Sequence, residues 1–116
     1  MPNPDCIFCR IASGDLPSDV VYQDEECVAF RDINPQAPVH LLVIPRKHIE
    51  GLAETDPEDE ALLGRLAAAA AEVAEQEGLS EDGYRVVINW GPDAGMAVPH
   101  LHLHVLGGRR MSWPPG

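Results

Sequence analysis

The sequence of 116 residues predicts an α+β domain with a mainly antiparallel sheet. One segment, residues 57–77, has the apolar spacing of a long helix. The other apolar segments are short and rich in β-branched and aromatic residues, which is typical of strands. These segments do not alternate regularly with helices, as they would in a parallel sheet of βαβ units. We therefore expect strands clustered around one long helix.

The amino-terminal segment CIFCRIASG, residues 6–14, predicts a short first helix. Its cysteines and its isoleucines recur at helical spacings, and Gly14 and Pro17 follow. The segment VVYQDEECVAFRD, residues 20–32, predicts a hairpin, because strand-forming residues flank a polar turn. INPQAP is expected to be a loop, since its two prolines cannot donate ladder hydrogen bonds. VHLLVIP, residues 39–45, is a nearly continuous apolar strand.

The long helix is expected from Pro57 to Glu77. Asp56 can cap it, Pro57 suits its first position, and residues 58–60 are acidic and complement the amino-terminal dipole. Gly78 is a plausible terminator. The predicted apolar stripe consists of Leu62, Leu63, Leu66, Ala67, Ala70, Val73 and Ala74. YRVVIN and LHLHVL complete the set of strands, separated by a loop containing glycine and proline.

Composition excludes several classes of protein. The formal net charge is -11, with 8 Lys and Arg against 19 acidic residues, which argues against nucleic-acid binding because affinity for phosphate backbones needs basic residues. No apolar run approaches the roughly 20 residues that span a bilayer, and no signal peptide is visible. We expect one domain over residues 1–116, without a membrane segment and cytoplasmic by default. Three cysteines do not make a disulfide framework.

The segment HLHLHVLGG places histidines at 100, 102 and 104. On a strand these side chains share one face, and Leu101, Leu103 and Val105 share the other. Each protonated imidazole would lower the pKa of its neighbours, which favours a neutral nucleophile near pH 7. A row of half-exposed polar residues is the alternative. A zinc held by all three is less attractive, because the third histidine would strain a tetrahedral shell.

The run His100 to Leu106 resembles the His-x-His-x-His signature of the histidine triad (HIT) superfamily of nucleotide hydrolases and transferases. CIFCRI, AFRDINPQAPVHLLVIPRKHI, YRVVIN and GGRRMSWPPG resemble segments of its Hint branch in the same order. The resemblance implies a five-stranded antiparallel sheet with two helices, paired as a homodimer that extends the sheet. It also implies a carboxy-terminal tail, residues 109–116, that reaches toward the partner, with Trp113 as a specificity residue.

The resemblance assigns the chemistry to four histidines. His102 would attack the α-phosphorus of a purine nucleoside phosphoramidate or acyl-nucleotide and form a nucleotidyl-histidine intermediate. A main-chain carbonyl near His100 would fix its tautomer, and His104 would stabilise the phosphoryl oxygens. His40 matches a fourth histidine that completes the network; without the resemblance it would be a strand-end residue facing water.

The same matching gives a nucleotide pocket. Asp32 would accept hydrogen bonds from the ribose hydroxyls, although it could simply initiate a turn. Asn89 matches an asparagine near the phosphate. The residues that would sandwich the purine, any of which could instead be ordinary core, are Ile7, Phe8, Ile11, Leu16, Ile33 and Leu42.

Cys6 and Cys9 form a C-x-x-C pair that offers half of a zinc site. A thioredoxin-like role would need a βαβ context, which is missing here. In some bacterial members of the branch, histidines equivalent to His48 and His100 complete the site. That closed shell would make the zinc structural, with no organic cofactor expected. His48 could also be a surface residue, and Cys27 is expected to pack as a small apolar side chain.

The chain departs from the family before the triad, where Gly95-Met96-Ala97 replaces Gly-Gln-Ser or Gly-Gln-Thr. The missing hydroxyl normally touches the leaving group or a phosphoryl oxygen, so Ala97 should favour leaving groups that depart unaided. A nucleotide-binding module with weak catalysis is therefore an alternative. So are a dinucleoside polyphosphate hydrolase and a zinc-dependent structural protein without a nucleotide.

Overall fold

A computed structural model describes residues 3–116 as an antiparallel sheet flanked by two helices. The strand order is β1-β2-β3-β5-β4, and every neighbouring pair is antiparallel. The predicted α+β class is confirmed. The strands are β1 Val20–Gln23, β2 Cys27–Arg31, β3 Val39–Pro45, β4 Tyr84–Val87 and β5 Leu103–Gly107. The helices are α1 Ile7–Ser13 and α2 Glu60–Gln76.

Local hydrogen bonds account for the helix ends. Cys6 precedes α1, its sulfur accepts a bond from the Cys9 N–H at 3.4 Å, and Gly14 ends the helix with φ of 87°. Asp56 caps the segment before α2 as predicted, by accepting from the Glu58 N–H at 2.8 Å. Residues 57–59 form a 3₁₀ turn, so α2 begins three residues later than predicted.

The helix α2 covers one face of the sheet. Its buried residues are Leu66, Ala69, Ala70, Val73 and Ala74. Ala67, which was predicted for the apolar stripe, is exposed, and Ala69 is buried instead. At 100° per residue the buried arc is centred near Leu66 and Val73, so Ala67 lies beyond its margin. Cys27 is fully buried in this core, as predicted.

A smaller apolar layer lies on the opposite face, under α1. The strand β3 is buried along most of its length and contributes to both layers. Leu41 and Val43 belong to the core beside α2, whereas Leu42 and Ile44 pack with Phe8 of α1. This second layer is the one that places the histidines.

The strand β5 is shorter than predicted, because its ladder begins only at Leu103. Residues 98–100 form a bend before it, and the Leu101 N–H donates to the Ile49 carbonyl at 2.7 Å. The predicted alternation nevertheless persists, with Leu101, Leu103 and Val105 in the core beside α2. The segment does not display all its imidazoles, however: His100 and His102 are buried, and only His104 is partly exposed. Among residues 3–116, no helix is long and apolar enough to span a bilayer.

Candidate active site

His102 is held in one tautomer by the main chain. Its Nδ1 lies 2.7 Å from the His100 carbonyl oxygen. A carbonyl can only accept, so Nδ1 carries the proton and Nε2 keeps a free lone pair. The ring contacts Phe8 edge-on at 5.2 Å between centroids, which limits its rotation. The side chain is therefore oriented, and in its neutral form Nε2 is the base or nucleophile.

A second chain of hydrogen bonds fixes His104. The Gln36 N–H donates to Nδ1 of His40 at 3.0 Å, so in neutral His40 the proton lies on Nε2. That Nε2 lies 2.9 Å from Nδ1 of His104, which must accept. Nε2 of His104 is then an N–H donor. The relay thus sets a donor beside the lone pair of His102, with ring centroids 5.0 Å apart.

Electrostatics keep this relay neutral. Burial lowers the pKa of His40, although Asp32 opposes the shift. Burial, followed by the neighbouring His102 and His40, lowers the pKa of His104 to about 4. The mutual lowering predicted from the alternating spacing is therefore present for His104, but burial is the larger cause. Both rings are uncharged near pH 7, as the tautomer assignments require.

The histidines open into a cleft with a polar and an apolar end. The polar end is a cavity of about 200 Å³, and the apolar end one of about 360 Å³. Phe8, Asp32, Leu42 and Val98 line both. The polar cavity is also lined by Asn89, Gly95, Met96, Ala97, His102 and His104. The apolar cavity is also lined by Ile7, Ile11, Leu16, Pro17, Ser18, Phe30, Arg31 and Ile33.

Asp32 satisfies both interpretations of the sequence. Its Oδ1 accepts from the Asn34 N–H at 2.8 Å, which is the turn contact. Its Oδ2 lies 3.5 Å from Nε2 of His40 and borders the cleft. One carboxylate oxygen is therefore used by the fold, and the other can accept from a ligand.

Most predicted pocket residues meet at this cleft. Asn89 and Ala97 line its polar end, and the six apolar residues named from the sequence line its apolar end. Ile33 is 98% exposed and so forms the lip of the cavity. Trp113 is 82% exposed and lines neither cavity, so it is not brought to the cleft of its own chain.

Four predicted metal ligands converge behind His102. Nδ1 of His100 lies 3.3 Å from the Cys6 sulfur, 3.5 Å from the Cys9 sulfur and 3.2 Å from Nδ1 of His48. Nδ1 of His48 is 3.3 Å from the Cys9 sulfur. The edges of a tetrahedral zinc shell are about 3.3 Å between nitrogens and about 3.6 Å between nitrogen and sulfur, given the usual bond lengths. The donor set fits zinc.

His100 is also prepared for a metal by its other nitrogen. Nε2 lies 2.9 Å from the Pro45 carbonyl oxygen, so Nε2 carries the proton and Nδ1 presents a lone pair to the cysteines. The residue is fully buried. His48 is half-buried in this cluster, so it is not the free surface residue that the sequence also allowed.

Asp32, His40 and His104 form another group whose ligand atoms lie within 4.8 Å of one another. This group does not suit a metal, since the relay places a proton on Nε2 of His40 and uses Nδ1 of both rings as acceptors. Sequence reasoning did not find Gln36, Pro45 or Val98. Gln36 and Pro45 act through main-chain atoms, which every residue type possesses, and Val98 is an apolar residue in an irregular loop.

Comparisons with known proteins agree with this architecture. A family model described as the HIT domain matches residues 13–111. An uncharacterized HIT-like protein of Synechococcus elongatus is 54% identical over 112 residues, covering 97% of each chain. A 14 kDa zinc-binding protein of Zea mays is 54% identical, covering 95% of this chain and 87% of that one. The crystal structure of a HIT family hydrolase from Legionella pneumophila has a TM-score of 0.95 and 51% identity, covering 97% of this chain and 100% of the other.

Proposed function

The chain belongs to the HIT domain family, and on that premise we propose that it is a purine nucleoside phosphoramidase or nucleotidyl hydrolase. One observation carries the proposal. The free lone pair of His102 and the N–H donor of His104 lie side by side in one cleft, each fixed by hydrogen bonds of its own. A nucleophile beside a donor is what displacement at a phosphoryl centre requires.

The first step is attack of the His102 Nε2 lone pair on the α-phosphorus. The new N–P bond forms as the bond from phosphorus to the amine or acyl oxygen breaks, and that group departs with the electron pair. A departing amine takes a proton from solvent, whereas a carboxylate needs none. Nδ1 of His102 becomes more acidic as the ring gains charge, so the His100 carbonyl bond strengthens when it is needed most. His104 donates to a phosphoryl oxygen throughout.

The second step is hydrolysis of the nucleotidyl-histidine. Water attacks phosphorus, the N–P bond breaks and its electron pair returns to Nε2 of His102. The nucleoside monophosphate is released with the proton balance completed by solvent. The relay from Gln36 through His40 keeps His104 a donor in both steps, because neither ring needs to change its proton.

The cleft supports recognition of a nucleotide. The apolar cavity is lined by flat and branched side chains, including those of α1 and of the loop after β2, which suits a planar base. Asp32 offers Oδ2 between base and phosphate ends, where a ribose hydroxyl could donate to it. Asn89 lies at the phosphate end.

We also propose a structural zinc held by Cys6, Cys9, His48 and His100. When bound, the ion would cross-link three parts of the chain: α1, the segment after β3 and the segment before β5. Four protein ligands leave no open position, so the metal has no direct part in the reaction. Support comes from the donor set, the hydrogen bond from His100 to the Pro45 carbonyl, and the zinc-binding relative in Zea mays.

The proposal extends to a homodimer in which residues 1–116 form one domain and residues 109–116 reach the partner. Trp113, exposed and remote from its own cleft, would then serve the cleft of the partner. The strand β4 lies at the sheet edge and presents exposed apolar side chains, which suits pairing with a second sheet.

A nucleotide-binding module with weak catalysis is the second candidate. It is favoured by Ala97, which lines the cleft with His102 and His104 but offers no hydroxyl to a departing amine. Substrate turnover decides between the two candidates.

Replacing His102 tests the main proposal. His102→Ala should lower turnover of adenosine and guanosine phosphoramidates at least about 10³-fold, because the covalent route is removed. Affinity for adenosine monophosphate (AMP), measured by calorimetry, should change little, and a nucleotidyl adduct should be found by mass spectrometry only on the wild type. Wild-type turnover in His102→Ala would refute the mechanism. Binding without turnover in the wild type would favour the module.

A further inference from the structure

The proposed zinc site and the candidate active site share one residue, His100. The His100 ring presents Nδ1 to Cys6, Cys9 and His48, whereas its main-chain carbonyl holds Nδ1 of His102 at 2.7 Å. The ring is fixed from the other side by the Pro45 carbonyl. Because His100 is fully buried and bonded through every polar atom of its ring, its peptide can shift only if the ring shifts as well. The metal cluster and the nucleophile are therefore joined through one residue, His100.

The two sites also share α1. Cys6 caps this helix and Cys9 lies in its first turn. Phe8, between them, contacts two histidine rings edge-on, with ring centroids 5.9 Å from His100 and 5.2 Å from His102. Phe8 also lines both ends of the cleft, together with Ile7 at the apolar end. A helix of 7 residues is too short to be stable alone, so its position depends on what it is anchored to.

We propose that metal binding by Cys6, Cys9, His48 and His100 is thermodynamically coupled to nucleotide binding in the cleft. The coupling acts through α1 and the His100 peptide. Phe8 is the positioning residue of this coupling, because it touches the ligand His100, the nucleophile His102 and the nucleotide cavity. The inference rests on the proposed nucleotide binding. A bound metal holds α1 and His100 in the arrangement that the nucleotide requires, and a bound nucleotide holds the four ligands together.

Zinc release gives the first test and uses only metal-loaded protein. We expect saturating AMP to slow transfer of zinc from the full chain to a chromogenic chelator, and to raise the apparent zinc affinity at least about fivefold. Mixing AMP with zinc and chelator alone corrects for any direct chelation. Equal release with and without AMP, in protein that binds AMP by calorimetry, overturns the coupling and leaves the proposed function standing. If the loaded protein does not bind AMP, both proposals fail.

AMP affinity gives the reciprocal test. Zinc-stripped protein should bind AMP more weakly than zinc-loaded protein by the same factor, since coupling is reciprocal. If stripped protein unfolds, the release experiment still decides, because it never requires the metal-free state. A stripped protein that folds and binds AMP equally well overturns the proposal.

Two variants locate the path. Phe8→Leu should reduce the coupling factor while zinc is still bound, because the edge contacts with both histidines are lost. A coupling factor in Phe8→Leu equal to that of the wild type would refute the role of Phe8. Cys27→Ala is the control for general destabilisation, since it also shortens a buried side chain but lies in the core beside α2. It should keep the wild-type factor; a reduced factor there would mean that the effect is general destabilisation and would overturn the proposal.

Discussion

Ala97 stands where the resemblance to the Hint branch implies a serine or a threonine. It is exposed and lines the same polar cavity as His102 and His104, so a hydroxyl placed there would border the cavity in which they lie. We expect Ala97→Ser to speed phosphoramidate turnover about 10- to 100-fold, because the hydroxyl can donate to the departing amine or a phosphoryl oxygen. Steady-state kinetics on an adenosine phosphoramidate measure this.

Acyl-nucleotides provide the internal control, because a carboxylate leaves without a proton. Their turnover by Ala97→Ser should stay within about twofold of the wild type. Ala97→Gly serves as a variant that changes the side chain without adding a donor. Equal acceleration of both substrates, or none, would contradict the role assigned to residue 97.

At this scale the sequence identified side chains, and the resemblance implied one main-chain partner, the carbonyl near His100 that holds His102. The Gln36 N–H and the Pro45 carbonyl were not expected. The alternation of His100, His102 and His104 was visible because strand geometry turns a spacing of two into a shared face. The tautomers depend on the Gln36 N–H and on the carbonyls of His100 and Pro45. Every residue has such groups, so only coordinates reveal which of them meet a ring.

The hairpin of β1 and β2 depends on one carboxylate. Asp24 accepts from the N–H groups of Glu26 and Cys27 and from the Tyr22 hydroxyl, each at 2.8 Å. Burial alone would raise the pKa of Asp24, but these hydrogen bonds outweigh it and lower the pKa to about 2. The ionised carboxylate therefore stabilises the fold above the ordinary pKa, and that stabilisation is lost as the pH falls toward 2.

Replacement of this carboxylate should be felt most at neutral pH. Asp24→Ala should lower the free energy of unfolding by about 1–3 kcal/mol at pH 7, because three donors, two of them part-buried, lose their charged acceptor. The difference from the wild type should shrink between pH 4 and pH 2, as measured by urea denaturation. Asp15→Ala, in an exposed loop, should show neither effect. A pH-independent difference would mean that packing, and not charge, explains the loss.

Elements were predictable where pattern and local chemistry agree. The helix α2 and the hairpin followed from apolar period, cap and turn residues. The start of β5 did not, because the residues from His100 to His102 keep strand alternation while bonding to a loop instead of a strand. The register of a strand pair depends on both strands, so the sequence of one strand alone does not predict where the pairing begins.

The two edge strands of the sheet, β1 and β4, differ in how many apolar side chains they expose. On β4 and its continuation, Tyr84, Val86 and Ile88 are exposed by 39%, 41% and 38%. On β1 the exposed large apolar residue is Val20, at 39%. A longer apolar edge favours association, so we expect the homodimer to form through β4.

Charge on either edge distinguishes them. Val86→Asp should convert the dimer into a monomer in sedimentation equilibrium, because the carboxylate would be buried without a partner. Val20→Asp is matched in residue type, exposure and edge position, and it should leave the dimer intact. A wild-type monomer, or dissociation by Val20→Asp alone, would contradict the assignment.

The molecule contains five histidines, and all of them belong to the two sites described above. His48 and His100 lie with the cysteines, and His40, His102 and His104 lie at the cleft. Isotopic labelling of this one amino acid would therefore yield a spectrum without bystanders, in which every imidazole resonance comes from the relay, the nucleophile or the ligand shell. Such a small protein could act as its own reporter: occupancy, tautomer and adduct formation would be read together from a handful of nitrogen signals, with no probe attached.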